Sequence, residues 1–154
     1  MIRRFDESAE FAIEAAAIIA AELRNHAAAG WFSLALAGGA TPAPVYRQLS
    51  EIWQRQPLPW RRALLVPGDE RLLPNNDDGR NDRMIRDNLL AGLPDAAAAF
   101  LPLLAPSPPV ASERVALAAE NRLRASWFGE LTPTGMPCFS LILLGLGTDG
   151  HTAS

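Results

Sequence analysis

The chain has 154 residues, of which 49% are apolar and 20% are charged, and its formal net charge is −3. This composition indicates a globular protein with one sizeable core, and the negative charge argues against a broad surface for nucleic acid or for an anionic membrane. All 14 basic residues are arginine, which excludes a Walker A lysine and a Schiff-base lysine from this segment.

The sequence predicts no targeting segment and no membrane span. Acidic residues crowd the N-terminus, and the apolar run over 15–21 is closed by Glu22, far short of the roughly 20 apolar residues that cross a bilayer. The single cysteine, Cys138, has no intrachain disulfide partner, so we expect a cytoplasmic protein. Because Cys138 opens an apolar run, we interpret it as a buried structural thiol rather than a catalytic one.

The first half of the chain predicts two helices and two strands. Apolar residues recur at helical spacing over 7–28. Gly30 ends that helix, and His26 is interpreted as a solvated residue of its last turn. The apolar segment 31–37 predicts a strand that leads through a glycine loop into the second helix, and residues 63–66 predict the next strand.

The second half predicts two further helices and a last strand. The helices are expected over 81–91 and 110–128, separated by an irregular proline-containing crossing over 94–109. Residues 139–144 predict a fully buried strand. The predicted strands are continuous apolar runs, which is typical of parallel sheets covered on both faces. The sequence therefore predicts an α/β fold with a parallel sheet and flanking helices.

The end of the sequence is unusual for such a fold. Ser154 follows a glycine-rich loop directly, at the point where a parallel α/β unit continues into its covering helix. We therefore expect residues 1–154 to form a single α/β domain that is incomplete at its C-terminus.

The first predicted strand ends in a loop suited to phosphate. Ligands of open α/β sheets bind beyond the carboxyl ends of the strands, and the first loop, residues 38–44, lies at such an end. Its two glycines let backbone approach a ligand. Thr41 is a good N-cap and Pro42 a good first helical residue, and a helix start attracts phosphate. Since Pro44 has no N–H, the Thr41 hydroxyl is freer to reach a ligand. An ordinary strand-to-helix turn explains this loop equally well.

The second predicted strand ends in the second loop, Gly68-Asp69-Glu70-Arg71. Three charges beside a buried strand need a reason, because unpaired charges there are costly. Arg71 can grip a phosphate with two donors, while Asp69 and Glu70 can hold sugar hydroxyls or position Arg71. The alternative is a structural ion-pair network.

The last predicted strand ends in the third loop, residues 145–151, with the sequence GLGTDGH. It contains G-x-G-x-x-G, but the dinucleotide fingerprint needs a following helix and an acid about 20 residues further on, and neither is present in the sequence. Asp149 would also face a pyrophosphate of its own sign. Asp149 and His151 in a glycine-rich loop favour acid–base chemistry instead, and the alternative is a histidine that caps backbone.

Together these loops carry a resemblance to one family. GGATP at 38–42, GDER at 68–71 and GLGTDGHTAS at 145–154 resemble, in order and rough spacing, the signatures of 6-phosphogluconolactonases. The family belongs with the glucosamine-6-phosphate deaminases on a modified Rossmann-like fold. The resemblance therefore implies hydrolysis of 6-phospho-D-glucono-1,5-lactone to 6-phosphogluconate in the pentose phosphate pathway. The implied partner is this small phosphorylated sugar lactone, and no metal or other cofactor is expected.

The resemblance also implies roles for individual residues. Thr41 and the two glycines of the first loop would bind the phosphate, with Arg71 as its cationic partner, and Asp69 would line the sugar. His151 would be the general base that activates water, with Asp149 nearby. The substrate-binding residues implied in this way are Gly38, Gly39, Ala40, Thr41, Asp69, Arg71 and Gly147.

Three features depart from the family pattern. The first motif more often has the sequence GGSTP, so Ala40 removes a hydroxyl from the phosphate site. After GDER the family often carries Ser-Asn, where this chain has Arg80-Asn81. Arg80 is either a second cation for the phosphate or a solvated side chain, and we favour the solvated side chain. The family also continues into a C-terminal part that contributes a phosphate-binding lysine.

Two other functions compete with the lactonase. The deaminase/isomerase branch usually carries an aromatic residue after Asp-Glu and a phenylalanine after the final His-x-Ala, where this chain has Arg71 and Ser154. A non-catalytic sugar-phosphate sensor would need no base in the third loop, so His151 and Asp149 argue against it.

Overall fold

The computed structural model describes residues 2–74, 77–105 and 112–152. A 3₁₀ turn precedes β2, and a π-helical turn continues α3. In chain order the elements are α1 (Ser8–Ala28), β1 (Phe32–Leu36), α2 (Pro42–Arg55), the 3₁₀ turn (Trp60–Arg62), β2 (Ala63–Pro67), α3 (Asn81–Ile85), the π turn (Arg86–Leu90), α4 (Pro94–Ala98), α5 (Ser112–Ser126) and β3 (Leu141–Ile142).

The three strands form one parallel sheet in the order β2–β1–β3. Every residue of β1 and β2 is buried, as their continuous apolar sequences predict. The register pairs Leu34 of β1 with Leu65 of β2 on one side and with Leu141 of β3 on the other. The predicted parallel α/β fold is confirmed, and it brings the ends of β1, β2 and β3 to one edge of the sheet.

Helices α1 and α2 pack against each other beside the sheet. The amphipathic spacing of α1 buries Ala16 and Leu23 completely, while His26 in its last turn is exposed, as predicted. Trp53 of α2 stacks edge-on against Trp60, with ring centroids 4.9 Å apart. This contact anchors the 3₁₀ turn in the core immediately before β2.

The prediction for the last strand was wrong in two respects. Residues 139–144 were expected to form a fully buried strand, but β3 comprises Leu141–Ile142 alone. Ile142 is 52% exposed and Leu144 is 65% exposed. The apolar run predicted burial, but burial requires a partner surface, and none of the described residues covers this side of β3.

The predicted irregular crossing also contains regular structure. Residues 94–98 form the short helix α4, and Phe100 makes an isolated parallel bridge with Leu65 of β2. Residues 106–111, which include part of the predicted crossing and the predicted start of the next helix, lie outside the described residues. The predicted helix over 81–91 is confirmed as α3 with its π turn, and the helix over 110–128 corresponds to α5.

Two further expectations concern the membrane and the cysteine. None of the helices described is long and apolar enough to span a bilayer. Cys138 is free and only half-buried, so the expectation of a buried thiol was wrong in its extent. Its backbone N–H donates to the backbone carbonyl of Glu130 across the turn that precedes β3.

Candidate active site

A cavity of about 780 Å³ lies at the carboxyl edge of the sheet. All three loops singled out from the sequence contribute to its lining. The predicted site residues that line it are Gly38, Gly39, Thr41, Asp69, Arg71, Gly147 and His151. Ala40 and Asp149 are outside the lining, although Asp149 contacts His151. The strand ends therefore bring together residues that are separated by more than 100 positions in the chain.

The first loop offers fewer backbone donors than a typical helix start. Thr41 directly precedes α2, but the expectation that it caps the helix was wrong, because it has helical backbone angles and its hydroxyl makes no capping hydrogen bond. The hydroxyl is left free, as the missing N–H of Pro44 predicts. Pro42 has no N–H, and the N–H of Ala43 donates to the carbonyl of Ala40. The Thr41 hydroxyl is therefore a prominent donor at this helix start.

Tyr46 of α2 fixes the residue that precedes the first loop. Its ring is completely buried in α2, and its hydroxyl donates to the carbonyl of Ala37 over 2.8 Å. Burial raises the pKa of the Tyr46 hydroxyl above its ordinary value, so the group stays protonated and remains a donor. The strand end that leads into the glycines is thereby held against α2.

Glu70 of the second loop is a structural residue. Its side chain is 1% exposed, and its carboxylate accepts from the N–H groups of Asn81 at 2.7 Å and Asp82 at 2.8 Å. It also accepts from the N–H of Arg71 at 2.8 Å. Glu70 therefore satisfies the free donors at the start of α3 and complements the helix dipole. Of the two interpretations of this loop, the structural network applies to Glu70.

Arg80 is buried, so the interpretation that it is solvated was wrong. The residue is 1% exposed and forms a bidentate pair with Asp82, with Nε–Oδ1 and Nη2–Oδ2 distances of 2.9 and 2.7 Å. Its Nη2 atom also lies 3.7 Å from Oε2 of Glu70. The physical reason is that two buried carboxylates need a cation. Arg80 does not line the cavity and is not a second cation for a ligand there.

Arg71 and Asp69 are placed differently from Glu70. Arg71 is exposed and lines the cavity, and its guanidinium makes no ion pair with the described residues. Asp69 is half-buried and also lines the cavity. The charged residues of the second loop therefore differ in role: Glu70 stabilises the fold, whereas Arg71 places a cation in the cavity lining.

The third loop holds a histidine–aspartate pair. Nδ1 of His151 is hydrogen-bonded to Oδ1 of Asp149, and the backbone N–H of His151 donates to the same oxygen over 3.3 Å. These hydrogen bonds from His151 lower the pKa of Asp149 below its ordinary value. Both side chains are well exposed, at 67% and 70%, and His151 lines the cavity.

The absence of a side chain at Gly147 leaves room for the imidazole ring of His151. A Cβ atom at this position would overlap the ring of His151, and the N–H of Gly147 donates to the carbonyl of His151 over 2.8 Å. The N–H of Gly150 donates in turn to the carbonyl of Gly147. The third loop therefore closes on itself around the histidine, and the N–H of Gly147 is used within the loop.

Sequence reasoning assigned no role to Asn81, which lines the cavity and is 4% exposed. A polar residue at the first position of a helix carries no local signal that distinguishes a cap from a contact to a distant loop. Among the described residues, no cluster of three or more histidine, cysteine, aspartate or glutamate side chains is arranged to hold a metal ion.

A parallel sheet with a cavity at its carboxyl edge, formed by a glycine loop, an arginine and a histidine–aspartate pair, defines an open α/β ligand-binding domain. A family model for glucosamine-6-phosphate isomerases/6-phosphogluconolactonase matches residues 6–154. The chain belongs to this family.

Curated relatives include 6-phosphogluconolactonases from Synechocystis sp. and Rhizobium meliloti. Each is 39% identical to this chain, over 127 and 128 residues, which cover 81% and 83% of the chain. These matches cover 49% and 48% of the relatives' own lengths. The chain therefore spans about half the length of the curated relatives it matches.

Solved structures give the same relationship. The 6-phosphogluconolactonase from Trypanosoma brucei superposes with a TM-score of 0.81 at 29% identity, covering 100% of this chain and 62% of that one. The protein from Thermotoga maritima gives a TM-score of 0.76 at 28% identity, covering 98% and 61%. A monomeric glucosamine-6-phosphate deaminase is similar at 21% identity with a TM-score of 0.72, a likeness that extends to the fold alone.

Proposed function

We propose that this protein hydrolyses 6-phospho-D-glucono-1,5-lactone to 6-phosphogluconate, the lactonase step of the pentose phosphate pathway. The observation that carries the proposal is the convergence of Thr41, Arg71 and His151 on one cavity. A hydroxyl and a cation suit a phosphate, and an accessible imidazole suits activation of water. The family membership and the names of the relatives point to the same chemistry.

The proposed mechanism begins at the His151–Asp149 pair. An ionised Asp149 accepts a hydrogen bond and therefore favours the tautomer in which Nδ1 of His151 carries the proton. Nε2 is then an acceptor and can remove a proton from a water molecule. As that proton leaves, the water oxygen bonds to the lactone carbonyl carbon and gives a tetrahedral intermediate. When the bond from this carbon to the ring oxygen breaks, Nε2 returns the proton to that oxygen, and the free acid and hydroxyl result.

The binding half of the proposal concerns the phosphate. Arg71 and the Thr41 hydroxyl would hold it at the start of α2, where the helix dipole favours an anion. Asp69 would face the sugar hydroxyls. Gly38 and Gly39 would allow the ligand to approach the backbone. Ala40 would offer the phosphate no hydroxyl, since its side chain is apolar, and the residue is outside the cavity lining.

Purified protein tests the proposal through turnover of freshly prepared lactone, coupled to oxidation of the 6-phosphogluconate formed. Changing His151 to alanine should lower kcat about 10²- to 10⁴-fold, the usual worth of general acid–base catalysis. Affinity for 6-phosphogluconate should change little, because the phosphate-binding residues are intact. His26→Ala is the matched control, since His26 is exposed in the last turn of α1 and is outside the cavity lining.

The outcome also separates the competing functions. Release of ammonia from glucosamine 6-phosphate without lactone turnover would indicate the deaminase/isomerase branch. Binding of 6-phosphogluconate with neither reaction would indicate a sensor. A His151→Ala protein that retains kcat within a few-fold of wild type would remove His151 from the role of base.

The proposed location is the cytoplasm. The support is the single cysteine of the chain, which is free and which suits a reducing compartment. The proposed partner is the phosphorylated sugar lactone, and the proposal requires no nucleic acid, membrane, metal or other cofactor.

A further inference from the structure

The side chain of Asn81 lies between the first and second loops. Its Oδ1 atom accepts from the backbone N–H of Gly39 over 3.3 Å, and its Nδ2 atom donates to the backbone carbonyl of Asp69 over 3.1 Å. One amide thus joins a loop that follows β1 to a loop that follows β2. Both bonded residues line the cavity.

Asn81 is itself fixed from the opposite side. Its backbone N–H donates to Oε1 of Glu70 over 2.7 Å, and the Glu70 side chain is held in turn by the buried Arg80. The residue is 4% exposed, so its amide has little freedom to turn towards solvent. Asn81 therefore fixes the position of the first loop relative to the ion-pair network at the start of α3.

Gly38 shows how closely the two loops approach. A Cβ atom built on Gly38 would overlap the amide of Asn81. The glycine is therefore needed at this position for a reason other than ligand contact, because any side chain would push Asn81 away. Tyr46 fixes the preceding residue, Ala37, from the other direction.

We infer that Asn81 is a positioning residue for phosphosugar binding: its amide sets the distance between the first and second loops, so that Thr41 and Arg71 meet the same phosphate. The inference rests on the proposed function. Aspartate at this position would keep the acceptor for Gly39 but lose the donor for Asp69, and alanine would lose both. The amide of asparagine can join a backbone donor to a backbone acceptor because it carries both an acceptor oxygen and a donor nitrogen.

The test compares Asn81→Ala and Asn81→Asp with Asn88→Ala in the purified protein. Asn88 is the matched control because it lies in the π turn that continues α3, also bonds a backbone carbonyl through its amide, and is outside the cavity lining. The Kd for 6-phosphogluconate is measured by titration against folded protein. Asn81→Ala should weaken it roughly 5- to 150-fold if the combined worth of two ordinary hydrogen bonds is lost from binding, whereas Asn88→Ala should leave it unchanged.

A second measurement needs no ligand. Hydrogen exchange at the Gly39 amide, followed by NMR, should quicken in Asn81→Ala and stay close to wild type in Asn81→Asp, which retains the acceptor. If the wild-type protein does not turn over the lactone, the proposed function is rejected. Exchange at the Gly39 amide would still test the hydrogen bond between Gly39 and Asn81. Unchanged exchange in Asn81→Ala, or a lower melting temperature with unchanged Kd, would overturn the inference.

Discussion

At the scale of single residues, the chain separates charges that stabilise the fold from charges that face the cavity. Glu70 and Arg71 are neighbours, yet Glu70 is buried under the start of α3 and Arg71 is exposed in the cavity lining. Both residues lie beyond the end of β2 at Pro67, and the difference arises from what their side chains contact. Glu70 is directed to the donors of α3, which it satisfies, and Arg71 is left for a ligand.

Changing Arg71 to alanine should weaken binding of 6-phosphogluconate by about 1.5–3 kcal/mol, or roughly 10- to 150-fold, because a charged hydrogen bond to phosphate is lost. Titration calorimetry with 6-phosphogluconate and with gluconate measures the effect. The loss should be much smaller for gluconate, which lacks the phosphate. Arg47→Ala is the control, since Arg47 is exposed on α2 and bonds Asn88 instead. Equal losses with both ligands would place Arg71 away from the phosphate.

The carboxyl group of Asp149 should titrate below the ordinary range of an aspartate, because His151 donates to its ionised form. A lowered folded-state pKa means that the hydrogen bond stabilises the third loop above the unfolded pKa, and this contribution is lost as pH falls through the folded pKa. Carbon NMR of the carboxyl group measures the titration. His151→Ala should return it towards the ordinary value and His26→Ala should not, and identical curves in the two variants would refute the contact.

At the scale of elements, α3 supports the loops of the site although it contributes no predicted catalytic residue. Its first two residues, Asn81 and Asp82, donate their N–H groups to Glu70 of the second loop. Asp82 also pairs with Arg80 immediately before the helix. The start of α3 therefore supports both the second loop and, through Asn81, the first. The position of the cavity lining depends on charges that never touch the cavity.

Arg80→Met should destabilise the fold by about 3–5 kcal/mol, because it leaves two buried carboxylates without their cation. Arg83→Met is a suitable control within α3, three residues further along the chain, since Arg83 makes ion pairs with the exposed Asp78 and Asp87. Exposed pairs of this kind contribute about 0–1 kcal/mol. Urea unfolding of the two variants gives the difference, and similar losses in both would show that Arg80 is not buried in solution.

At the scale of the whole molecule, the sheet has a covered part and an uncovered part. β1 and β2 are buried throughout. β3 joins the sheet through the pairs Leu34–Leu141 and Ala35–Ile142, and its side chains are partly exposed. The apolar lining of the cavity continues onto Ile142 and Leu144. The hydrophobic stabilisation is therefore concentrated on the side of β1 and β2.

Two leucines test this division. Leu34→Ala should cost about 2–5 kcal/mol, the usual penalty for a cavity in a packed core, because Leu34 is completely buried. Leu144→Ala should change stability by no more than about 0.5 kcal/mol, as is usual at the surface. Urea unfolding of this 154-residue chain provides both values. A Leu144 penalty as large as that of Leu34 would show that its face is covered in solution.

The sequence by itself determined the order of the longer helices and of the strands, the parallel sheet and the three loops at one edge, but it missed the short helix α4. The physical reason is that periodicity, apolar runs and glycine loops are local, and parallel topology places all strand ends together. The family motifs likewise gave Thr41, Arg71 and His151, which the structure brings to one cavity.

Only the tertiary structure decided which polar residues are buried and what they contact. The sequence predicted a solvated Arg80 and assigned no role to Asn81. In the structure Arg80 contacts Glu70, ten residues before it, and Asn81 contacts Gly39, 42 residues before it. The apolar sequence around β3 led to the converse error: it predicted burial, yet Ile142 and Leu144 are exposed. Burial depends on whether another element covers a side chain, and that is a property of packing between distant segments, which local sequence does not encode.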